Sequence, residues 1–471
     1  MENNKRRYKD LTKNTLLFAI SSFGTKLLSF LLVPLYTNIL TTAEYGTADL
    51  LYTTTTILIV LFTINISDGV LIFAMDKKYS PTEVLSFGLR VLLVGWGILC
   101  VLASLGFAVG VFDWPPYYYI FVIFFFIISA LYQTLSNYLR AIDRVRDVAV
   151  AGIVSSIAYL FCNILFLLII KIGLNGYLFS TIIGPLAGTV YCIAAGRISI
   201  TNIVRQHISK EQSKTVLKYC IPLIFNSVAL WINSCLDRYF VTYFCGVDQN
   251  GIYSVASKIP VILSTVYTIF SQAWTLSAVK EFDPEDKDGF FSKTYEVYNA
   301  AMLIACSGLI LINIPLAKIL YAKEFFVAWK YSSVLLLGIF FNSLTAFLGS
   351  IFSATKNSNI LATTTVVSAV VNTVLNILLI PRFGVQGAAI ATAVALASMW
   401  IIRMIKLKHL IRIKINWIRD CIVYFLLCLQ IVVEHCEGHM YLVQIIIFIL
   451  ILLLMFKPFI SIIRKLLKFG V

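Results

Sequence analysis

The sequence predicts an all-α integral membrane protein with about fourteen transmembrane helices. Apolar residues make up 59% of the 471 residues and charged residues only 13%, and the mean hydropathy is +0.88. A soluble domain carries about 25% charged residues, so this chain falls outside the globular class. Its apolar runs are about 20–25 residues long, which is the length that crosses about 30 Å of hydrocarbon. The alternating pattern of a membrane β-barrel is absent.

Short polar links separate the apolar runs. A helix pairs its backbone groups within its own segment, as lipid requires. The first run follows a basic start and lacks a small-x-small cleavage site, so we expect a retained span rather than a signal peptide. The thirteenth run is short and leads into Glu434, His435 and Glu437. The expected spans are 15–37, 48–75, 85–112, 117–139, 148–170, 176–196, 219–245, 251–279, 297–317, 331–355, 360–380, 385–402, 420–433 and 441–456.

The distribution of Lys and Arg over the links predicts the orientation. With the N-terminus inside, the inside links and tails hold 29 of these residues and the outside links hold five. The outside five are Lys171, Lys318, Lys323, Lys330 and Arg382. By the positive-inside rule, both termini are expected in the cytoplasm. The basic links would face an anionic leaflet, which explains the net charge of +15 without a nucleic-acid partner.

An internal repeat organises twelve of the spans. Segments 163–176 (NILFLLIIKIGLNG) and 376–387 (NILLIPRFGVQG) both end in a GxxG link, and AEYGTADL (43–50) resembles NGIYSVAS (250–257). In each match the two copies lie six spans apart. Because six is even, the copies have the same orientation and form a parallel repeat. We expect a six-helix lobe at 1–200, a second at 201–407, and an additional helix pair with a cytoplasmic tail at 408–471.

Six ionisable residues fall inside the expected spans and away from their ends. Each costs about 2.5–3.5 kcal/mol near the bilayer centre on insertion scales, so such residues normally face protein or a water-filled cavity. Four of the six are cationic, and a cationic lumen suits an anionic substrate such as a phosphate or a carboxylate. The six are Lys26, Asp68, Arg90, Asp237, Arg238 and Lys258.

Each of these charges also has a structural interpretation. Lys26 either lines the lumen or makes a structural hydrogen bond. Asp68 and Arg90 lie about 10 Å deep on antiparallel neighbours, where they could form an ion pair.

The charges of the second half leave similar alternatives. Asp237 and Arg238 point about 100° apart, and Arg238 is the better candidate for the lumen. Lys258 lies a turn or two below the outer surface, where snorkelling would also account for it. Coupling to H⁺ or Na⁺ through Asp68 or Asp237 is a further alternative.

The remaining polar residues favour packing over chemistry. The TTTT run (53–56) and the GPLAG segment (184–188) are typical of contacts between helices, and so are five asparagines: Asn226, Asn233, Asn342, Asn372 and Asn376. The ten cysteines form no CxxC pair and no Cys/His cluster. The sequence has no P-loop, no HExxH and no large outside loop. We therefore expect no catalytic residues, no metal and no cofactor.

Several segments resemble one transporter family. The block 222–274 (PLIFNSVALWINSCLDRYFVTYFCGVDQNGIYSVASKIPVILSTVYTIFSQAW) is the most specific, and 26–50, 322–338 and the GxxG links also fit. The chain resembles Wzx-type polysaccharide (oligosaccharide-lipid) flippases of the multidrug/oligosaccharidyl-lipid/polysaccharide (MOP) exporter superfamily. The resemblance implies a MATE-like pair of six-helix lobes, a cationic central cavity and alternating access in a bacterial plasma membrane.

The resemblance also implies a substrate. This would be an oligosaccharide on undecaprenyl pyrophosphate, flipped to the outer leaflet for O-antigen, capsule or exopolysaccharide synthesis, with a polymerase and other assembly proteins as partners. Lys26, Arg90, Arg238 and Lys258 would then contact the pyrophosphate and any acidic sugars. The alternatives are a drug or cation exporter of the same superfamily, a flippase for a peptidoglycan precursor or a teichoic-type polymer, and a membrane glycosyltransferase, polymerase or ligase.

Overall fold

The computed structural model describes residues 30–110, 114–199, 206–355, 357–436 and 440–456. This part of the chain is helical and contains no β-strand, which confirms the predicted all-α class. The chain divides into two compact units, Met1–Trp231 and Ile232–Val471. The division lies inside one long helix, whereas the sequence places it in the preceding link. The additional helix pair at the C-terminal end belongs to the second unit.

Among the described residues, the first unit contains seven helices and the first part of an eighth. Its helices are α1 (Val33–Ile39), α2 (Thr42–Phe62), α3 (Ile66–Met75), α4 (Pro81–Val109), α5 (Pro116–Ala141), α6 (Val145–Asn163, continued by the π-helical Ile164–Ile169), α7 (Gly173–Gly196) and the first part of α8 (Lys210–Cys245).

In the described part of the second unit, the end of α8 is followed by nine further helices. These are α9 (Val247–Ala256), α10 (Lys258–Lys280), α11 (Phe290–Leu311), α12 (Asn313–Leu320), α13 (Trp329–Ala354, preceded by the 3₁₀-helical Lys323–Ala328), α14 (Ser358–Phe383), α15 (Val385–Leu407), α16 (Trp417–His435) and α17 (Tyr441–Leu454).

The same helix pairs pack inside each unit. In the first unit α5 packs against α3, α4 and α7, and α6 packs against α7. In the second unit α13 packs against α10, α11 and α15, and α14 packs against α15. An offset of six spans converts the first set of pairs into the second. The packing therefore agrees with the internal repeat seen in the sequence.

The GxxG links show why the repeat retains its glycines. The first glycine of each link has a positive φ, +55° at Gly173 and +58° at Gly384, which only glycine adopts at little cost. A Cβ on Gly176 would lie 2.7 Å from Phe166 Cβ, and one on Gly387 would lie 2.5 Å from the carbonyl oxygen of Leu379. The second glycine thus lets the next helix pack closely against the preceding one.

The first copy of this link is longer than the second, and a π-helix accommodates the difference. Ten positions separate Asn163 from Gly173, whereas eight separate Asn376 from Gly384. The π-helix Ile164–Ile169 follows Asn163 directly. A π-helical turn holds more residues than an α-helical one, so it takes up part of the extra length.

Several expected spans are interrupted or displaced. The span expected at 48–75 is broken at 63–65, where Ile64 and Asn65 have left-handed backbone conformations. Its first helix, α2, also begins earlier than expected, after a capping box formed by Thr41 and Glu44. The span expected at 251–279 is broken at Ser257. Helix α8 has 36 residues and starts at Lys210, nine residues before the expected start.

Eleven helices of the described residues are long and apolar enough to cross a membrane, and the protein is a multi-pass membrane protein. The first expected span lies mostly outside the described residues. The last two, α16 and α17, are not among the eleven, because α16 carries Arg419, Asp420 and Glu434 and α17 has only 14 residues. The count of fourteen therefore stays a prediction.

Buried polar contacts attach α16 to the second unit. Asn299 Nδ2 donates to Asp420 Oδ2 at 3.2 Å, and Asn313 Nδ2 donates to Glu434 Oε1 at 2.8 Å. Between them, Ser307 Oγ donates to Gln430 Oε1 at 2.6 Å, and Gln430 Nε2 donates to the carbonyl oxygen of Ser307 at 3.1 Å. Glu434, one of the residues that made this span doubtful in the sequence, is thus a partner of Asn313 on α12. Glu437 lies outside the described residues.

A buried carboxylate orders the start of α11. Asp286 accepts hydrogen bonds from the main-chain N–H groups of Phe291 and Ser292, both at 2.9 Å. Ser292 Oγ also donates to Asp286 and accepts from the main-chain N–H of Lys414 at 2.8 Å. Asp286 therefore supplies acceptors for N–H groups that the first turn of a helix leaves unpaired.

Candidate substrate-binding and coupling residues

Arg90 binds a main-chain carbonyl in the first unit. It lies half-buried on α4, and its Nη2 donates to the carbonyl oxygen of Gln206. Ser86, one turn earlier, donates to the same oxygen at 2.8 Å. Both side chains thus hold the segment that precedes α8. Lys26, the other cation predicted for this half, lies outside the described residues.

Asp68 is held by amides. It lies on α3, and its carboxylate accepts from Asn65 Nδ2 at 2.9 Å and from Asn137 Nδ2 at 3.5 Å. Asn137 also donates to the carbonyl oxygen of Ser67 at 3.0 Å. In the part of the chain that the structure describes, Asp68 and Arg90 form no ion pair with each other. The ion pair that the sequence allowed is replaced by these amide contacts, because Arg90 reaches Gln206.

Asp237 is buried among three helices of the second unit. It lies on α8, and only 5% of its surface is exposed. Its Oδ2 accepts from the hydroxyls of Tyr253 on α9 and of Thr392 on α15, the second at 3.2 Å. The main-chain N–H of Arg238 donates to Oδ1 at 3.0 Å. The carboxylate is therefore stabilised by hydrogen bonds from three directions.

Two asparagines extend this arrangement along α14. Asn372 Nδ2 donates to Thr392 Oγ1 at 3.2 Å, and Asn376 Nδ2 donates to Asn372 Oδ1 at 3.0 Å. Both are buried, as is Asp237. The sequence assigned Asn372 and Asn376 to helix contacts. Asn372 does join α14 to α15, and its amide nitrogen donates to the same Thr392 hydroxyl that contacts the Asp237 carboxylate.

Arg238 and Lys258 are both half-buried in the second unit. Arg238 Nη1 lies 3.2 Å from Cys235 Sγ and 3.4 Å from the carbonyl oxygen of Ser234. Lys258 is the first residue of α10. The structure thus places Asp237 in the interior and leaves its neighbour Arg238 partly accessible. Arg90 belongs to the first unit, and Arg238 and Lys258 belong to the second.

The threonine run at 53–56 makes contacts between helices. Thr55 Oγ1 donates to the carbonyl oxygen of Leu51 at 2.7 Å within α2. Trp231 Nε1 on α8 lies 3.2 Å from both the carbonyl oxygen of Thr53 and the hydroxyl of Thr56. The Trp231 contacts are of the kind that joins membrane helices, whereas the Thr55 hydrogen bond stays within α2.

Arg403 is a buried charge that was not among the six intramembrane candidates. It was assigned to the link after the span 385–402, but α15 continues to Leu407 and only 7% of Arg403 is exposed. The apolar residues Met404 and Leu407 are three residues apart, which is the spacing of one helical face. This spacing is the sequence signal that α15 continues past residue 402.

Comparison with known proteins assigns the fold and a family. The sequence profile described as "Polysaccharide biosynthesis protein" matches residues 11–275. A relative in Haloferax volcanii, "Probable low-salt glycan biosynthesis flippase Agl15", is 24% identical over 238 residues, which are 49% of this chain and 50% of that protein. An uncharacterized membrane protein of Methanocaldococcus jannaschii is 26% identical over 43% of this chain and 41% of its own length. The chain thus matches about half the length of these curated relatives.

Solved structures share the fold over nearly the whole chain. The lipid II flippase MurJ in an inward closed conformation matches with a TM-score of 0.67, at 16% identity over 95% of this chain and 100% of that one. An inward-facing MATE-family multidrug transporter of the MOP superfamily also has a TM-score of 0.67, at 12% identity over 84% and 98%. At such identities these matches show the fold, which is MurJ- and MATE-like as the sequence resemblance implied.

Proposed function

The chain belongs to the polysaccharide biosynthesis protein family, and from that premise we propose that it is a flippase for a lipid-linked oligosaccharide. The substrate would be an oligosaccharide repeat unit on undecaprenyl pyrophosphate. It would move from the cytoplasmic to the outer leaflet of a bacterial plasma membrane, for use in O-antigen, capsule or exopolysaccharide synthesis. The observation that carries the proposal is the family match over residues 11–275, which agrees with the Wzx-like segments of the sequence.

The charges inside the helices support an anionic substrate. Lys26, Arg90, Arg238 and Lys258 would contact the pyrophosphate and any acidic sugars in turn, while the polyprenyl tail stays in lipid. Arginine suits a bidentate phosphate contact and lysine a looser one. Arg238 is half-buried, with its guanidinium close to uncharged groups of its own helix. Several weak contacts would also let the substrate dissociate after transport, whereas a single tight binding site would hold it.

Transport would be coupled to a cation at Asp237. A buried carboxylate surrounded by polar side chains is the type of residue that takes up a proton or holds a hard cation. Here Thr392 Oγ1 lies 3.2 Å from the carboxylate, and Asn372 Nδ2 lies 3.2 Å from that hydroxyl. Asp68 is the second candidate, since its carboxylate also lies among polar side chains, those of Asn65 and Asn137.

The test is complementation of a strain that lacks its own flippase. Cells that express the chain should regain surface polysaccharide and stop accumulating lipid-linked repeat units. Arg238→Ala should reduce export at normal expression, and Arg238→Lys should restore part of it. Lys287→Ala is the control, because its side chain is 74% exposed in a link outside the helices. Wild-type export by both Arg238→Ala and Arg90→Gln would contradict a cationic substrate path.

A drug exporter is the second candidate, because the MATE-family structure reaches the same TM-score as MurJ. Such an exporter should line its path with acidic and aromatic residues, whereas basic residues outnumber acidic ones four to two among the six intramembrane charges. Expression in a drug-sensitive strain separates the two. Increased drug resistance without restored polysaccharide would favour the exporter.

A further inference from the structure

A strip of buried polar side chains runs along the second unit where α8, α14 and α15 meet. We call it the polar spine. Its members on α8, α14 and α15 are all buried or half-buried. On α14 they are the adjacent Thr364 and Thr365, followed by Ser368, Asn372 and Asn376 at three- to four-residue spacing, so they lie on one side of that helix. The polar spine consists of Asn233, Asp237, Thr364, Thr365, Ser368, Asn372, Asn376, Thr392 and Arg403.

Hydrogen bonds divide the polar spine into two groups. The upper group surrounds Asp237 and contains Thr392, Asn372 and Asn376. In the lower group, Ser368 Oγ donates to Asn233 Oδ1 at 2.9 Å, and Asn233 Nδ2 donates to the carbonyl oxygen of Thr365 at 3.1 Å.

One helical turn separates the two groups on each helix. Asn233 and Asp237 are four residues apart on α8, and Ser368 and Asn372 are four residues apart on α14. On the faces of α8 and α14 that carry these residues, no apolar turn therefore lies between the lower group and the group around the Asp237 carboxylate.

Arg403 occupies the lower end of the polar spine, and uncharged acceptors hold it. Its Nε donates to Thr364 Oγ1 at 3.0 Å and its Nη1 to the carbonyl oxygen of Thr345 at 3.0 Å. Its Nη2 lies 3.3 Å from Thr365 Oγ1 and 3.5 Å from the carbonyl oxygen of Leu361. Among the described residues no carboxylate lies within ion-pair distance of it. The positive charge is buried but not neutralised.

The end that Arg403 occupies is the one with the basic links. Arg403 lies one turn before the end of α15, ahead of a link that carries Lys408, Arg412 and Lys414. Thr392, which contacts Asp237, is eleven residues earlier on the same helix, or about 16 Å along its axis. An unneutralised arginine in a narrow polar passage excludes protons and other cations by electrostatic repulsion.

We propose that Arg403 closes the basic-link end of the polar spine to cations. A coupling cation then reaches and leaves Asp237 from the opposite side, and the gradient is not dissipated through the second unit between transport cycles. This role rests on the proposed coupling at Asp237 and adds a residue that prevents cations from crossing without substrate transport. Arg403 contacts neither substrate nor cation; it acts through its charge.

The test measures cation leak in proteoliposomes without lipid-linked substrate, using an imposed H⁺ or Na⁺ gradient and an internal dye. Arg403→Gln should raise the leak on the order of tenfold, because it removes the barrier charge. Arg403→Lys keeps the charge and should stay near wild type. Lys406→Gln removes the same charge at an exposed position of the same helix and is the matched control. Adding Asp237→Asn to Arg403→Gln should abolish the excess leak if the path passes Asp237.

A second variant leaves the arginine in place. A Cβ on Gly349 would lie 3.0 Å from Arg403 Nη1, so Gly349→Asp places a carboxylate beside the guanidinium. It should raise the leak as Arg403→Gln does, whereas Gly349→Asn, of equal size but neutral, should not. Thermal unfolding of each variant separates leak from misfolding.

Three results would overturn the proposal. Wild-type leak in both Arg403→Gln and Gly349→Asp would show that the charge is no barrier. Equal leak in Arg403→Lys and Arg403→Gln, with equally lowered melting temperatures, would show that Arg403 only ties the helices together. Excess leak that persists after Asp237→Asn would place the path elsewhere. Flipping is assayed separately in the same vesicles, so a failure of the flippase proposal is seen independently of the leak.

Discussion

The contact between Ser307 and Gln430 offers a sharp test of how α16 is attached. Both residues are fully buried, and two hydrogen bonds connect them. Side-chain hydrogen bonds between membrane helices contribute about 0.6 kcal/mol on average and at most about 1.7 kcal/mol. Leaving a buried acceptor without a donor costs about 1–3 kcal/mol.

The two single variants should therefore differ from the double variant. Ser307→Ala leaves the Gln430 amide oxygen without this donor and should destabilise the second unit by about 1–3 kcal/mol. Gln430→Leu should cost about 1 kcal/mol, since the freed Ser307 hydroxyl can turn to a carbonyl of its own helix. Combining them removes both polar groups, so the double variant should be more stable than Ser307→Ala alone.

The assay is reversible unfolding in mixed detergent micelles, followed by helix content. Val432→Ala is the control on the same helix, because this side chain is 61% exposed and should change stability by less than about 0.5 kcal/mol. Strictly additive free energies in the double variant, or single variants no different from Val432→Ala, would refute the buried contact between α11 and α16.

Two further predictions concern the links. Gly387→Ala should destabilise the fold by about 1–3 kcal/mol, because the new Cβ would lie 2.5 Å from the carbonyl oxygen of Leu379. The control is Gly97→Ala, whose new Cβ would have no atom within 4 Å and which should be neutral or stabilising in the same unfolding assay. Asp286→Ala should cost about 1–2 kcal/mol by removing the acceptors at the start of α11, and Asp286→Asn should recover part of this; a melting temperature unchanged in Asp286→Ala would contradict the assignment.

The fold class and the repeat were predictable because both leave a direct trace in the residues. Apolar runs of membrane-spanning length identify the helices, and the GxxG links at Gly173 and Gly384 recur because their backbone requires glycine. The helix breaks were not predictable from hydropathy. Ile64 and Asn65 take left-handed conformations inside an apolar run, and no Gly or Pro marks the position.

The candidate residues show where sequence reasoning reached its limit. Depth in a span identifies charges such as Asp68 and Asp237 but not the partners that lie far away in the chain. Asp68 contacts Asn137 and Asp237 contacts Thr392, and neither separation follows a local period. Arg403 was missed because a charge near the expected end of a span is assigned to the adjoining link.

The most direct test of lipid-linked oligosaccharide flipping uses the purified protein in proteoliposomes. A fluorescent oligosaccharide on undecaprenyl pyrophosphate is placed in both leaflets, and a quencher that cannot cross the membrane is added outside. Vesicles with the protein should expose substrate beyond the outer-leaflet fraction seen in empty vesicles, and Arg238→Ala should lower that rate. Quenching equal to that of empty vesicles, with folded protein present and a cation gradient imposed, would contradict the proposed function.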